Sequence, residues 1–215
     1  ETLEQEIIAK HNVKVVTQCF DVRNPQACEK AIQSLPENFR DIDLLVNNAG
    51  LAAGAAFFDE SNLDDFERMI DTNIKGLLYI SKLITPIMIA RGNGLIINIS
   101  SIAGIEVYPG GHTYCATKHA VNAITKGMRI DLVKHGIRVS SISPGIAETE
   151  FSLVRFHGNA DKAKNVYKGM QPLVAEDIAD AFEYIATRPA HVMINDIQIN
   201  PAQQANTYIT HRKEI

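Results

Sequence analysis

The sequence predicts an α/β protein built on a parallel sheet that is covered by helices on both faces. Apolar runs of strand length alternate with helical segments of about ten residues or more, the length that a crossover between parallel strands needs. The strands are apolar almost throughout, as expected where both faces of a sheet are buried. Because 215 residues suit one domain of this kind, we expect residues 1–215 to form a single domain.

The first elements are predicted from local signals. Residues 1–10 have a helical pattern, and the β-branched segment at 13–20 predicts a strand. Asn24 and Pro25 are typical of a helix start, so a short helix is expected to begin there. The apolar run at 42–47 predicts the next strand, which ends in the turn residues "NNAG".

The rest of the chain continues this alternation. Two long helices are expected to end at Gly92 and Gly136, since glycine commonly follows the last turn of a helix. An irregular polar stretch is predicted at 146–172. The predicted helices are at 62–91, 112–135 and 175–188, and the predicted strands are at 94–101, 137–145 and 194–201.

Composition and charge argue against several classes of function. The net charge of -4 and the lack of a basic run give no reason to expect a nucleic-acid partner. The most apolar region, at 76–100, is interrupted by Lys82, Pro86 and Arg91, so we expect no membrane span. The three cysteines have no metal-ligand spacing, so we expect no metal and a reducing, cytoplasmic environment.

The segment "YCATK" places Tyr114 and Lys118 at helical spacing, so both side chains lie on one helix face. A phenol has an ordinary pKa of about 10, and a nearby ammonium lowers that pKa by favouring the phenolate. A tyrosine tuned in this way could protonate a carbonyl oxygen or deprotonate an alcohol. Taken alone, the two residues would also fit a chance surface pair.

Two further polar residues fit the same chemistry. Ser101 ends an apolar strand, where its hydroxyl could hydrogen-bond the substrate oxygen that Tyr114 addresses; it could also be a serine that merely ends the strand. Asn73 is predicted to lie inside a long helix, although asparagine is a mediocre helix former. A buried amide satisfied by the backbone is the other interpretation of Asn73. Ligands of parallel sheets bind beyond the carboxyl ends of the strands, where these motifs gather.

Together these motifs resemble the short-chain dehydrogenase/reductase family. The resemblance rests on "NNAG" at 47–50, Asn73, Ser101, "YCATK" at 114–118 and "PGIAET" at 144–149, in the family's order and spacing. It implies a Rossmann-type doubly wound sheet in three layers and a nicotinamide cofactor. It also implies a homotetramer whose interfaces involve the two long helices and the C-terminal segment.

The resemblance implies roles for individual residues. Tyr114 would be the general acid/base, and Lys118 would lower its pKa and hold the nicotinamide ribose. Ser101 would position the substrate oxygen, and Asn73 would support a proton-relay water. The residues implied at the cofactor are Asp21 and Val22 near the adenine, Asn48, Ala49 and Gly50 along it, and Pro144, Gly145, Ile146 and Thr149 at the carboxamide and pyrophosphate.

Within that family the sequence is similar to the NADP-dependent 3-hydroxy acid dehydrogenases, which also act on serine and L-allo-threonine. The similarity rests on "IDLLVNNAGLAAG", "MIDTNIKGLLYI", "INDIQINP" and the stretch after Thr149. A hydroxy acid carries a carboxylate, which a guanidinium binds through two parallel hydrogen bonds. Arg155 is the candidate for this contact, with His112 and Lys168 as alternatives. Arg155 could also be a surface residue that covers the loop.

One family motif has no match in the sequence. The glycine-rich phosphate loop that follows the family's first strand is not found, and the residues that select NADP over NAD are missing with it. NADP is therefore implied by resemblance alone, and NAD is not excluded. We expect the functional protein to be longer, with two strands and a helix before residue 1. Those strands would lie between the segments at 13–20 and 42–47 and would leave a gap of about 10 Å there.

Two other functions fit the sequence. Another reductase of this family, acting on 3-oxoacyl-carrier-protein or on a polyol or sugar, would need a pocket without a paired cation near Tyr114. A catalytically silent binding protein of the same fold is less consistent with the intact set of Asn73, Ser101, Tyr114 and Lys118.

Overall fold

The computed structural model describes residues 2–213, and at its centre is a sheet of four parallel strands. The strands are β1 (Leu44–Asn47), β2 (Gly94–Ile99), β3 (Ile137–Pro144) and β4 (Asp196–Ile199), and they pair in that order. Leu45 lies opposite Ile96, which in turn lies opposite Val139. This sheet confirms the predicted α/β class.

Helices connect and cover the strands. Before β1 come α1 (Thr2–His11) and α2 (Pro25–Gln33). Between β1 and β3 lie α3 (Leu63–Ile70), a π-helical turn at Asp71–Gly76, α4 (Leu77–Arg91) and α5 (His112–Leu132). After β3 come α6 (Phe151–Arg155), α7 (Ala160–Asn165) and α8 (Ala175–Ala186).

Both faces of the sheet are buried, which explains why the strands are apolar throughout. On one face, Met88 of α4 and Leu132 of α5 pack with Ile96 of β2. On the other face, Ile185 of α8 packs with Ile97. The result is the three-layer arrangement of helices, sheet and helices that the sequence predicts.

Local signals account for several helix ends. The Asn24 side chain accepts a hydrogen bond from the Ala27 amide at 3.0 Å and so caps α2. Gly92 and Gly136 follow long helical segments with φ of 67° and 71°, a left-handed conformation that glycine adopts without strain. The stretch predicted to be irregular, 146–172, instead contains the short helices α6 and α7.

The strand predicted at 13–20 is not formed, so that prediction is wrong. A strand needs a hydrogen-bonded neighbour, and among residues 2–213 no strand pairs with this segment. The outer edge of β1 is exposed, with 40% of Leu44 and 38% of Val46 accessible to solvent. A groove of about 420 Å³ is lined by Phe20 as well as by β1. The two further strands expected between these segments stay a prediction.

Candidate functional site

Three loops meet at the carboxyl edge of the sheet and carry the candidate site. They follow β1, β2 and β3 and begin at Asn48, Ser100 and Gly145. Parallel strands end at the same edge, so these loops become neighbours although they are far apart in sequence. The N-terminal turns of α5 lie against them, because the turn at Ile102–Gly104 packs on this helix.

Tyr114 and Lys118 lie near the start of α5 and are almost fully buried, with exposed fractions of 8% and 6%. The Lys118 ammonium donates a hydrogen bond to the Ile99 carbonyl at 2.8 Å. Its nitrogen is 5.9 Å from the centroid of the Tyr114 ring. Close packing of α5 requires Gly104, since a Cβ at that position would come within 2.7 Å of the Lys118 carbonyl.

Burial raises the pKa of the Tyr114 phenol above its ordinary value. The Ser101 hydroxyl and the charge of Arg155 lower it only in part. The sequence predicts the opposite direction, through Lys118; this residue is not among the groups that act on the phenol here, and its effect on the Tyr114 pKa stays a prediction. Desolvation of the phenolate raises the pKa by more than the neighbouring donors and cations lower it. The Tyr114 phenol therefore keeps its proton at neutral pH.

Burial also lowers the pKa of Lys118, to about 8. An ammonium has three N–H donors, and one of them is used by Ile99. The Lys118 nitrogen lies beside Gly50, where an added Cβ would be 3.5 Å away, an ordinary van der Waals contact. The two remaining donors suit the hydroxyl groups of a ribose.

Ser101 links two of the loops. Its hydroxyl oxygen accepts a hydrogen bond from the Ala103 amide at 3.1 Å and donates to the Pro144 carbonyl at 3.4 Å. The side chain therefore caps the turn that follows β2 and reaches the loop after β3. The same hydroxyl lowers the pKa of Tyr114, so Ser101 and Tyr114 belong to one site.

Asn73 lies in the π-helical turn with an exposed fraction of 2%. Its side chain accepts from the Leu51 amide and donates to the Leu51 carbonyl, both at 2.8 Å. It also donates to the Thr117 hydroxyl at 3.0 Å, and Thr117 donates to the Tyr114 carbonyl at 2.8 Å. Asn73 is thus a buried amide that backbone groups of Leu51 satisfy, which is one of its two interpretations. Its hydrogen bonds join the loop after β1 to α5.

A second buried amide chain was not predicted from the sequence. Asn47 donates to Ser81 of α4 at 2.9 Å and to Asn98 at 2.8 Å, and Asn98 donates to Thr125 of α5 at 2.9 Å. This chain crosses β1 and β2 and fixes α4 and α5 on one face of the sheet. The polar residues Asn47 and Asn98 inside otherwise apolar strands were the available signal.

Val22, one of the two residues implied near the adenine, lies beside β1. Val22 packs against Gly76, where a Cβ would come within 2.9 Å of the valine side chain. Val22, Asn48 and Ala49 line the same groove. The Asp21 carboxylate is held by the Arg23 guanidinium at 2.6 Å, a contact that lowers the pKa of this carboxyl to about 2.

The loop after β3 holds the residues implied at the other end of the cofactor. Pro144 meets Ser101, as described above. The Ile146 amide donates to the Gln204 side chain at 2.8 Å, and a Cβ on Gly145 would lie 2.3 Å from the same oxygen. The Thr149 hydroxyl accepts from the amide of Phe151, the first residue of α6, at 3.2 Å.

Helix α6 closes over Tyr114. The Phe151 ring lies 5.6 Å from the Tyr114 ring. The Arg155 carbonyl accepts from the Gly54 amide at 2.9 Å, and Arg155 Nε donates to the Gly54 carbonyl at 3.1 Å. The guanidinium packs 5.5 Å from the centroid of the Tyr108 ring. Arg155 thus both covers the loop and places a positive charge close enough to lower the pKa of Tyr114.

The two alternatives to Arg155 have different surroundings. The His112 ring is in hydrogen-bond contact with Ser61 at 3.0 Å and lies 5.3 Å from Phe58 and 5.4 Å from Phe66. Lys168 is exposed at the end of the segment that follows α7. Of the three, Arg155 is the one that acts electrostatically on Tyr114.

Residues 2–213 contain neither a metal-binding cluster nor a membrane-spanning helix. They contain no group of three or more histidine, cysteine, aspartate or glutamate side chains arranged to hold a metal ion. No helix in that range combines the length and the apolar character that crossing a bilayer requires.

The geometry at the carboxyl edge agrees with the match of residues 1–159 to the model of the short chain dehydrogenase family. The chain belongs to this family. A 3-hydroxy acid dehydrogenase of Schizosaccharomyces pombe, named as NADP-dependent, is 40% identical over 214 residues, which is 100% of this chain and 83% of that protein. Sulfoacetaldehyde reductase 2 of Chromohalobacter salexigens is 44% identical over 90% of this chain and 77% of its own.

A solved structure of this short-chain dehydrogenase family gives the same fold. It is the closed form of a serine dehydrogenase complexed with NADP+, at a TM-score of 0.92 and 39% identity. The match covers 100% of this chain and 87% of that one. The Rossmann-type fold predicted from the sequence motifs is therefore confirmed.

Burial of the Lys118 ammonium has a measurable effect on stability. Its folded-state pKa of about 8 lies below the ordinary 10.5, so between these values the folded protein binds fewer protons and its free energy of unfolding rises with pH. Relative to Lys118→Met, the wild type should gain about 3 kcal/mol over that interval. Urea unfolding of both proteins at several pH values tests this, and a difference that does not change with pH would contradict it.

Proposed function

We propose that this protein is an NADP-dependent oxidoreductase that interconverts the hydroxyl and carbonyl forms of a small 3-hydroxy acid such as serine. The observation that carries the proposal is the buried Tyr114 phenol, which lies beside Ser101, Lys118 and the charge of Arg155. This set combines a proton donor for the substrate oxygen with a cation for the substrate carboxylate. The names of the relatives, a 3-hydroxy acid dehydrogenase and a serine dehydrogenase, support this substrate class.

The proposed cofactor is NADP, which would take up or deliver the hydride when bound. The Lys118 donors beside Gly50 suit its nicotinamide ribose, and the loop at 144–146 suits its carboxamide end. Asn48 and Ala49 line the groove that Val22 also lines. NADP rather than NAD is supported by the cofactor in the names of the compared proteins.

In the proposed mechanism Tyr114 transfers the proton at the substrate oxygen. Because burial raises the pKa of Tyr114, the phenol is protonated at neutral pH and can donate to a carbonyl oxygen that gains negative charge. Ser101 would donate a second hydrogen bond to the same oxygen. In the direction of oxidation the phenolate must form, and the Lys118 and Arg155 charges would stabilise it there.

Arg155 is the proposed anchor for the carboxylate. Its Nε is bound to the Gly54 carbonyl, and packing against Tyr108 restricts the guanidinium plane. No aspartate or glutamate within residues 2–213 forms an ion pair with it. The guanidinium therefore keeps a positive charge for a ligand, and its terminal nitrogens have the fork geometry that a carboxylate accepts.

A sulfonate-bearing aldehyde is the second candidate substrate. Sulfoacetaldehyde is the compound named for one relative, and a sulfonate offers the same kind of anionic oxygens to a guanidinium. A panel of serine, a 3-hydroxy acid, sulfoacetaldehyde, a sugar alcohol and a 3-oxoacyl thioester would distinguish the candidates through the absorbance of reduced nicotinamide. Turnover of none of these compounds would favour a silent binding protein.

The thiols and the surface complete the proposal. Cys19, Cys28 and Cys115 are free in the structure, which supports a reducing compartment, and we place the protein in the cytoplasm.

Apolar side chains on α5 and the segment that follows it, Ile130 and Val133, are 74% and 61% exposed. Burial of such side chains in a homotetramer would remove this surface from water.

Replacing Tyr114 with Phe removes the proton donor and keeps the ring in its packing with Phe151. We expect kcat to fall by at least about 100-fold, the usual contribution of a general acid. The affinity for NADPH, measured by its fluorescence on binding, should stay close to that of the wild type. A Tyr114→Phe protein that kept more than a few per cent of the activity would contradict the assigned role.

Replacing Arg155 with Ala should raise KM for 3-hydroxy acids about 10- to 150-fold, because a charge-assisted pair to the carboxylate is lost. Uncharged alcohols of similar size should be affected far less. Arg188→Ala is a matched control, since Arg188 also packs on a tyrosine ring, at 4.4 Å from Tyr184. Equal increases for charged and uncharged substrates would remove Arg155 from this role.

A charged side chain at Ile130 tests the proposed assembly. Light scattering of the wild type should give four times the mass of one chain, and Ile130→Glu should give a smaller particle, because a carboxylate in an apolar interface would be desolvated. An Ile130→Glu protein should unfold at nearly the same temperature, since the side chain is exposed in the single chain. A wild-type protein that is monomeric at micromolar concentration would defeat the proposal.

A further inference from the structure

The C-terminal segment at 200–213 forms a strap across the loops of the candidate site. At one end, the Thr207 amide and hydroxyl both donate to the Glu106 carboxylate at 2.9 Å, in the loop that follows Ser101. At the other end, the Lys213 amide donates to the Gly169 carbonyl at 2.8 Å. The strap therefore contacts loops that lie far apart in sequence and whose arrangement decides the shape of the site.

Gln204 is the residue of this strap that reaches the cofactor loop. Its side chain is buried, with an exposed fraction of 6%, and its oxygen accepts from the Ile146 amide at 2.8 Å. The backbone of Gln204 is held as well, because its amide donates to the Pro201 carbonyl at 2.9 Å. The accepting oxygen thus comes from a fixed point of the strap.

The loop has little freedom to find another arrangement. A Cβ on Gly145 would lie 2.3 Å from the Gln204 oxygen and 2.6 Å from the side-chain oxygen of Asn200, so the strap packs directly on the glycine backbone. On its far side the loop is held by Leu173, whose amide donates to the Ile146 carbonyl at 3.0 Å. Gln204 and Leu173 therefore bind both backbone polar groups of Ile146, its N–H and its carbonyl.

We propose that Gln204 is a positioning residue that sets the geometry of the loop at 144–146 for the nicotinamide end of the cofactor. The proposal rests on the proposed function, which assigns that loop to the cofactor. Gln204 acts through the Ile146 amide. Without the accepting oxygen, this N–H would have to turn toward water, and the loop would turn with it.

The test compares Gln204→Met with Gln203→Met in the full-length protein. Methionine has nearly the volume of glutamine and no amide oxygen. We expect Gln204→Met to raise KM for NADP by about tenfold, since a buried N–H left without a partner is costly, while KM for the hydroxy acid changes less. Gln203 belongs to the same strap but accepts from the Gln171 amide at 2.8 Å, so Gln203→Met should leave KM for NADP unchanged. Equal cofactor KM values for the two variants would overturn the proposal.

Gln204→Glu separates positioning from general stability, because a carboxylate keeps an oxygen that can accept from Ile146. Its KM for NADP should stay within about threefold of the wild type. This variant also keeps the inference testable if Gln204→Met does not fold. A Gln204→Glu protein that folds with the wild-type unfolding temperature but has a KM raised by about tenfold or more would overturn the inference. An inactive wild type would refute the proposed function, whereas an active wild type with unaffected Gln204 variants refutes this inference alone.

Discussion

The hydrogen bonds of Asn73 are the constraint on which the candidate site depends. One buried amide holds both polar groups of Leu51 and the hydroxyl of Thr117, so the loop after β1 and helix α5 cannot move independently. With these hydrogen bonds made, the Asn73 amide has few donors or acceptors left for a ligand, and its role is to hold the loop and α5 together. The π-helical turn at Asp71–Gly76 widens the helix at the point where this side chain enters the core.

Burial makes the site suited to its chemistry and also makes it costly for stability. Tyr114 and Lys118 are both in the interior, and desolvation moves their pKa values in opposite directions, up for the phenol and down for the ammonium. Burial thus keeps the proton on the phenol at neutral pH and makes the ammonium easier to deprotonate. Arg155 adds a cation at the rim, on a helix that is fastened to Gly54.

Local sequence patterns predicted those features of the site that lie within a single secondary-structure element. The spacing of Tyr114 and Lys118, the serine at the end of β2 and the glycines after the long helices are all visible in short segments. Thr117, Asn98 and Gln204 were not identified, because each acts through a partner many residues away and leaves no periodic signal. The strand predicted at 13–20 failed for a related reason: β-branched residues favour a strand, but a strand forms only beside another. Helices α6 and α7 are too short to show a helical period.

The most direct test is a crystal structure of the full-length protein with NADP and serine bound. We expect the serine hydroxyl within hydrogen-bond distance of Tyr114 and Ser101, and the carboxylate on the terminal nitrogens of Arg155. The hydrogen bonds between Asn73 and its partners Leu51 and Thr117 should be unchanged, because we expect them to form independently of the ligand. A serine carboxylate bound elsewhere, or a Leu51 released from Asn73 in the complex, would contradict a preformed site held by this amide.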